Sequence, residues 1–348
     1  MSAPDAAERR SGHADPSIVR VRALLAAGLA ALEERREEVN ALNVFPVADG
    51  DTGDNMVLTM RAAVEELDRL ADASAATSGD EIGRDQIVAS VARAALLGAR
   101  GNSGVILSQL IRGAAEELAS RPGELVDPVL IAAALARAVD QAYGSVREPA
   151  EGTILTVVRE MAHRLASELA HRPDSRLAAD VTAAEQDFAI ADVIESAVQA
   201  GQDSVARGPD LLPALRSAGV VDAGGYGLTV LLAGIVAALR GSELPARSAL
   251  GVPAPGADPA HVSITYRYCT NFAVTGSGLE PRSFVAALER LGDSVLVVGD
   301  AQTLKVHVHT DVPARAEAVF AGVGEVSHVD VFDMRQQADA RAARLRRT

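Results

Sequence analysis

The feature that most constrains the fold is a long stretch of helical periodicity followed by an abrupt change to strand-like sequence. Apolar residues recur every three and four positions in eight segments, which predicts an all-α domain over residues 17–240. Glycine and proline separate most of the segments, as is typical of loops. The predicted helices cover residues 18–42, 56–70, 82–97, 105–118, 128–143, 154–169, 188–205 and 228–239.

The sequence beyond residue 240 predicts a second, smaller unit. Residues 241–260 contain four prolines and three glycines, which indicates a linker. Residues 261–333 predict a small α+β domain in the order β-β-α-β-β-α-β. Residues 1–16 are predicted to be a disordered tail and residues 334–348 a basic tail with a short helix. The predicted strands are 262–268, 272–274, 294–298, 304–309 and 326–332, and the predicted helices are 282–291 and 314–320.

Charge and the scarcity of lysine exclude several function classes. The chain has 33 basic and 47 acidic residues and a net charge of −14, which disfavours nucleic acid and anionic membranes as partners. The only lysine, Lys305, does not lie in a P-loop sequence, and no lysine precedes it as a protein kinase would require. A single cysteine, with no predicted signal peptide or transmembrane segment, predicts a cytoplasmic protein.

The sharpest local feature is an acidic, glycine-rich loop before a predicted helix. Residues 43–56 read NVFPVADGDTGDNM and place Asp49, Asp51 and Asp54 within six positions. Carboxylates this close repel one another unless a cation neutralises them, and Mg²⁺ binds one or two carboxylates together with substrate phosphates. The alternative is a solvated turn with a helix cap. An EF-hand is excluded by the spacing.

Three further glycine-containing loops precede helices: residues 98–104 (GARGNSG), 151–153 (EGT) and 221–227 (VDAGGYG). Each alone is also explained as a cap or a tight turn. Taken together with the acidic loop, they predict one shared rim at which helix N-termini bind a metal–polyphosphate.

These motifs resemble the nucleotide-binding subunit of dihydroxyacetone kinases and, more closely, the catalytic, ATP-binding subunit of bacterial fatty acid kinase. The resemblance covers about residues 19–335 and rests on LNVFPV-DGDTG-NM, GARGNSGVILSQ, EGTILTV, VVDAGGYGL, GDSVLVVGD and LKVHVHT. It implies an antiparallel eight-helix barrel that binds ATP or ADP with two Mg²⁺. It also implies that a fatty acid carboxylate, presented by a separate fatty-acid-binding carrier protein, accepts the γ-phosphoryl group. A carboxylate is a nucleophile near pH 7, so this reaction needs no strong base.

The resemblance assigns roles to the matching residues. Asp49 and Asp51 match catalytic, metal-binding aspartates, and Asn43 is the nearest candidate for a third ligand. Asp54 stands where threonine is usual, so we expect the metal or Arg100 to offset its charge. The residues that match nucleotide contacts are Thr52, Gly53, Asp54, Asn55, Asn102, Ser103, Thr153, Asp222, Ala223 and Gly224.

A second candidate metal site lies in the smaller unit. His307 and His309 are two apart in a predicted strand, so both point to one face, which Lys305 shares. With Cys269, at the end of an earlier predicted strand, they form a ligand set that suits Zn²⁺. An exposed strand face and a core cysteine are the alternatives. The resemblance implies a zinc-binding Cys/His/His set here.

Two other functions remain open: a dihydroxyacetone (glycerone) kinase-type phosphotransferase, and a non-catalytic regulatory protein that binds nucleotide or zinc. The resemblance implies a C-terminal domain that docks the carrier beyond the residues matched here; we expect a truncated product, a docking domain on a separate chain, or a different acceptor. We therefore expect nucleotide binding to survive without that domain and carrier-dependent transfer to require it. We also expect a homodimer.

Overall fold

The computed structural model describes residues 15–76, 82–171, 176–244 and 265–345. Most of the predicted N-terminal tail and linker lie outside these ranges. So does the start of the strand predicted over residues 262–268, and residues 265–267, which are described, are not strand.

Ten helices occupy the described residues up to 244. The first predicted segment is divided into two helices at Arg35, and the short helix α9 was not predicted. The helices are α1 (Pro16–Glu34), α2 (Arg36–Leu42), α3 (Thr52–Ala76), α4 (Arg84–Gly98), α5 (Gly101–Ser120), α6 (Pro128–Ser145), α7 (Ile154–Ala170), α8 (Ala183–Leu211), α9 (Pro213–Ala218) and α10 (Ala223–Arg240).

The eight longer helices pack in a closed circuit. Each of α1, α3, α4, α5, α6, α7, α8 and α10 contacts the next, and α10 contacts α1. Gly28 and Gly234 allow the close approach of α1 and α10, since a Cβ at Gly234 would lie 2.7 Å from the Ala27 carbonyl oxygen. Among the described helices, only α10 is long and apolar enough to cross a membrane, and most of it is buried inside the circuit.

A four-stranded antiparallel sheet follows. Its strands are β1 (Tyr268–Gly276), β2 (Gly292–Gly299), β3 (Thr303–Thr310) and β4 (Gly324–Asp333), in the order β2-β3-β1-β4. Helices α11 (Pro281–Glu289) and α12 (Pro313–Ala318) connect strands, and α13 (Met334–Leu345) ends the described chain. The observed order is therefore β-α-β-β-α-β-α. The prediction of two strands before the first helix was wrong, because residues 268–276 form one continuous strand.

The two faces of the sheet differ in what they bury. One face carries Phe272, Val306 and Val308 into an apolar core with residues of α11 and α12. On β1 and β3, the other face carries polar residues opposite one another, with Cys269 paired to His309 and Asn271 paired to His307. This alternation follows from the two-residue period of a strand.

The polar face docks on the junction between α4 and α5. Lys305, only 1% exposed, donates a hydrogen bond of 3.0 Å to the carbonyl of Leu97 in the last turn of α4. Burial lowers the pKa of Lys305 to about 8, so the ammonium remains largely protonated at neutral pH. The carbonyls of a last helical turn lack helical partners and carry partial negative charge, which favours a cation there. The apolar part of the contact consists of Leu96, Ala99, Val105, Leu296 and Val298.

Because Lys305 is the single lysine and is buried, amine labelling reports on this interface. We expect reductive methylation to modify the N-terminal amine of the native protein much faster than Lys305, as measured by mass spectrometry. Val298→Asp places a charge in the apolar contact and should bring labelling of Lys305 close to the rate found in urea. Equal labelling of Lys305 in the native wild type and in the folded variant, with folding checked by circular dichroism, would contradict the docking.

Candidate functional site

The acidic loop between α2 and α3 is held by the side chain of Asn43. Its Oδ1 accepts hydrogen bonds from the backbone N–H groups of Gly50 (2.8 Å) and Asp51 (3.2 Å), and its Nδ2 donates to the Val47 carbonyl. Asn43 is buried. The only cation-binding atom of this side chain is thus engaged by two N–H groups, which argues against the metal role predicted for Asn43.

Asp49 and Asp51 lie together at the inner end of this loop. Burial raises the pKa of Asp51, and hydrogen bonds with the side chains of Asn55 and Asp49 oppose that rise. Two carboxylates in such contact repel one another when both are ionised. A hard cation between them removes this repulsion, so the pair fits Mg²⁺.

The N-terminus of α3 is only partly free for a ligand. The side chain of Asn40 accepts from the N–H groups of Gly53 (2.7 Å) and Asp54 (3.2 Å) and donates to the Asp54 carboxylate. Arg36 lies 3.4 Å from the same carboxylate. Arg36 and Asn40 therefore contact the Asp54 carboxylate, whereas Arg100, one of the two groups expected to offset its charge, pairs with Asp330; the other, the metal, stays a prediction.

Arg100 instead faces the sheet. Its guanidinium pairs with Asp330 at 3.0 Å and lies over the ring of Phe332. The next residue, Gly101, has a φ of +59°, and a Cβ there would lie 2.3 Å from the Asn55 amide nitrogen. Glycine is therefore required, and the turn directs the N-terminus of α5, with Asn102, toward the cavity.

The third loop brings Thr153 to the start of α7. Thr153 donates its hydroxyl proton to the Ala150 carbonyl (2.7 Å) and makes no side-chain cap hydrogen bond. Glu151 turns away from the cavity to pair with Arg159, whose hydrogen bond lowers the pKa of Glu151. Thr153 is the residue of this loop that faces the site.

Asp222 joins the N-termini of two helices. Its carboxylate accepts from the N–H of Gly225 (2.7 Å) at the start of α10 and from the N–H of Ile154 at the start of α7. Burial raises the pKa of Asp222 to about 6, and these hydrogen bonds oppose the rise. Asp222 is therefore both a cap and part of the cavity wall.

All four loops border one cavity of about 440 Å³. Of the predicted residues, Asn43, Gly53, Asp54, Ala223 and His307 do not line it. Those that do are Asp49, Asp51, Thr52, Asn55, Asn102, Ser103, Thr153, Asp222, Gly224, Cys269 and His309. The cavity also has an apolar wall formed by Phe45, Ile106, Val146, Ile154, Leu155 and Leu296.

Cys269, His307 and His309 form the metal-ligand cluster of the sheet. One ligand atom from each lies within 4.8 Å of the others, and all three residues are buried. Burial lowers the pKa of His307 far below its usual range, so its imidazole is neutral, as a metal ligand must be. His307 Nε2 is buried and has no hydrogen-bond partner among the residues that the structure describes. Cysteine and histidine are the side chains that bind Zn²⁺ in protein sites.

The cluster faces the acidic loop directly. Burial raises the pKa of the Cys269 thiol strongly, and the carboxylates of Asp51 and Asp49 raise it further. His309 acts on Asp51 in the opposite sense, lowering its pKa. The two predicted metal sites therefore share one cavity, which the sequence did not indicate. His328 and Asp311 do not belong to this cluster: His328 is exposed, and Asp311 accepts from the Arg267 N–H.

Several residues of this region were missed by reasoning from sequence: Asn40, Asn55 as a partner of Asp51, and Asn271. Asn271 carried a usable signal, because it alternates with Cys269 on one strand and so shares its face. Asn40 carried none, since a single asparagine in a helix is commonplace.

The raised pKa of Asp222 predicts a pH-dependent stability difference. The folded state favours the protonated carboxyl, so its stabilising effect is complete below pH 3.8 and is lost as pH rises to about 6. Asp222→Asn removes the charge and keeps one acceptor oxygen. We expect its free energy of unfolding to rise relative to wild type by up to about 3 kcal/mol across this window. Urea unfolding from pH 4 to pH 7 measures it. A pH-independent difference, as expected for the exposed control Asp140→Asn, would contradict the assignment.

Both domains of the chain match known protein families. Residues 46–237 match the DAK2 domain, and residues 265–341 match the middle domain of FakA-like fatty acid kinase proteins. Protein YloV of Bacillus subtilis (strain 168) is 33% identical over 332 residues, which cover 90% of this chain and 55% of that protein. An uncharacterized protein of Staphylococcus saprophyticus is 33% identical over 318 residues, which cover 88% and 53%. The chain thus spans about half the length of the curated relatives it matches.

Among solved structures, the dihydroxyacetone kinase of C. freundii is similar over 68% of this chain and 37% of that chain, with 18% identity and a TM-score of 0.39. The DAK2 match covers more than half of the 348 residues. The chain therefore belongs to the DAK2 domain family, with a FakA-like middle domain following the helical one.

Proposed function

We propose that the chain is a Mg²⁺-ATP-dependent phosphotransferase, the catalytic subunit of a fatty acid kinase type. Its acceptor is a fatty acid carboxylate presented by a separate fatty-acid-binding protein. The observation that carries the proposal is the convergence of Asp49, Asp51 and the N-termini of α5, α7 and α10 on one cavity. Family membership supports the kinase-type chemistry.

The chain's own groups suit a nucleotide polyphosphate. Asp49 and Asp51 would hold Mg²⁺, which would offset the negative charge that develops during phosphoryl transfer. Thr52, Asn55, Asn102 and Ser103 would contact the phosphates. Thr153, Asp222 and Gly224 would border the nucleotide, with Gly53, Asp54 and Ala223 supporting them from behind. The helical domain contains no lysine, so helix N-termini supply its fixed partial positive charge.

The acceptor needs a dry, partly apolar approach. The wall that includes Phe45, Ile106 and Leu296 supplies it between the helices and β2. We further propose that the closed helical circuit is the antiparallel barrel implied by the resemblance, and that the chain acts in the cytoplasm as a homodimer.

Substitution of Asp51 tests the phosphotransferase. We expect ATP to bind the wild type only with Mg²⁺, as measured by calorimetry. We expect Asp51→Asn to lower ATP turnover by more than about 100-fold. Loss of a group that supports a metal ligand typically costs about 10- to 100-fold in activity, and loss of the ligand itself should cost more. Asp140→Asn, exposed on α6, is the control. Wild-type turnover by folded Asp51→Asn would refute the assignment.

The same assay identifies the acceptor. Carrier-bound fatty acid and dihydroxyacetone are offered in parallel, with ADP release measured against an acceptor-free blank. Turnover with dihydroxyacetone alone would replace our proposal by the triose kinase alternative. Nucleotide binding without turnover of either acceptor, with the carrier-docking domain also supplied as a separate chain, would favour a regulatory protein.

We also propose that Cys269, His307 and His309 hold Zn²⁺. One zinc per chain is then expected in the wild type, and Cys269→Ser or His309→Ala should lower the zinc affinity by more than about 100-fold. Competition with a chromophoric chelator measures this. His328→Ala, a histidine outside the cluster, is the matched control. Unchanged zinc affinity in His309→Ala would contradict the ligand set.

A further inference from the structure

The side chain of Asn271 joins the ligand cluster to the helical domain. Asn271 is 0% exposed and lies on β1 opposite His307. Its Oδ1 lies 2.9 Å from His307 Nδ1 and 3.1 Å from the Gly101 backbone nitrogen. Its Nδ2 lies 3.3 Å from Cys269 Sγ. One amide thus contacts two members of the cluster and the loop that begins α5.

The Gly101 contact fixes the orientation of this amide. A backbone N–H can only donate, so the oxygen of Asn271 must face Gly101. His307 Nδ1, which faces the same oxygen, must then carry its proton. The lone pair of the imidazole is therefore on Nε2, the buried atom without a partner. The remaining end, Nδ2, donates to the Cys269 sulfur. Each end of Asn271 thus orients one ligand for a cation, as supporting groups around metal sites do.

A chain of contacts continues from Gly101 to the acidic loop. The Asn55 amide lies against Gly101, where a side chain would collide with it. Asn55 in turn donates to Asp51. The path Cys269/His307–Asn271–Gly101–Asn55–Asp51 therefore connects the cation cluster to the proposed Mg²⁺ ligands through direct contacts. Lys305 to Leu97 and Arg100 to Asp330 hold the same segment from either side.

We propose that Asn271 is a positioning residue that couples cation binding at Cys269/His307/His309 to nucleotide binding at the α5 loop. A cation bound to His307 Nε2 and Cys269 Sγ would fix the positions of the imidazole ring and of the sulfur. Because Asn271 contacts both of them and also Gly101, the start of α5 would be held more rigidly as well. Linkage requires the coupling to act equally in both directions. The proposal rests on the nucleotide and zinc sites of the proposed function.

The experiment measures ADP–Mg²⁺ affinity by calorimetry with and without one equivalent of Zn²⁺, and Zn²⁺ affinity by chelator competition with and without ADP–Mg²⁺. In the wild type we expect Zn²⁺ to tighten ADP–Mg²⁺ binding by about 5- to 10-fold, with the same factor in the reverse direction. Asn271→Ala should bring this factor close to 1 and weaken Zn²⁺ binding by about 10- to 100-fold.

Two variants separate positioning from stability. Asn271→Asp keeps oxygen acceptors for Gly101 and His307 and should retain most of the coupling. Thr270→Val changes an equally buried neighbour on β1 whose side chain lies on the other face of the sheet, and should leave both affinities and the coupling factor unchanged. Folding is checked by circular dichroism. Should Asn271→Ala fail to fold, amide hydrogen exchange of wild-type residues 97–104 decides, since Zn²⁺ alone should slow it.

The outcomes distinguish this proposal from the proposed function. A wild type that binds ADP–Mg²⁺ and Zn²⁺ independently, or a folded Asn271→Ala that keeps the wild-type factor, overturns the coupling and leaves the proposed function intact. Unchanged exchange of residues 97–104 on addition of Zn²⁺ also overturns it. A wild type that binds no ADP–Mg²⁺ refutes the proposed function itself, and the coupling falls with it.

Discussion

One buried ammonium group determines how the two domains pack against each other. Lys305 reaches the unsatisfied Leu97 carbonyl in the last turn of α4, and this contact sets the sheet against the α4–α5 junction. Lys305, His307 and His309 alternate along β3 and therefore share one face of the sheet. The contact of Lys305 thus also fixes the positions of the two histidines. The cavity then has one wall from each domain. Without the docking, the acidic loop and the Cys/His/His cluster would be two separate surface features.

Electrostatics explains why such a cavity suits cations and phosphates together. The chain is acidic overall, and its cavity holds Asp49 and Asp222 in buried positions and Asp51 in a half-buried one. Burial alone would drive these carboxyls toward their neutral forms, as the raised pKa of Asp51 and of Asp222 indicates. Asp222 is compensated by two helix N-termini, whereas Asp51 has, within the described part of the chain, the side chains of Asn55 and Asp49 as hydrogen-bond partners. A divalent cation would therefore stabilise the Asp49/Asp51 pair most strongly, and a polyphosphate would bind most favourably at the N-terminus of α5.

Local patterns in the sequence predicted the secondary structure and which residues share a strand face. The 3.6-residue periodicity located the eight longer helices, and the two-residue spacing placed Lys305, His307 and His309 on one face. The break at Arg35 was missed because it lies in the charged run 33–38 (EERREE), which contains no glycine or proline to indicate a helix end. The single strand at residues 268–276 was divided because its polar residues 269–271 interrupt the apolar run, although these include the residues that face the other domain. The hydrogen bond from Gly101 to Asn271 joins positions 170 residues apart, and no local pattern encodes it.

The conformation of the α5 loop in the helical domain depends on contacts with the sheet. Gly101 looks like an ordinary turn glycine, yet its positive φ and its contacts with Asn55 and Asn271 leave the loop little freedom on either side. A displacement of the sheet therefore shifts the first turn of α5, and with it Asn102 and Ser103 at the cavity. Gly101 itself is buried against Asn55 and Asn271, so close packing there transmits such shifts. The geometry of the proposed phosphate site thus depends on a strand that contributes no phosphate ligand of its own.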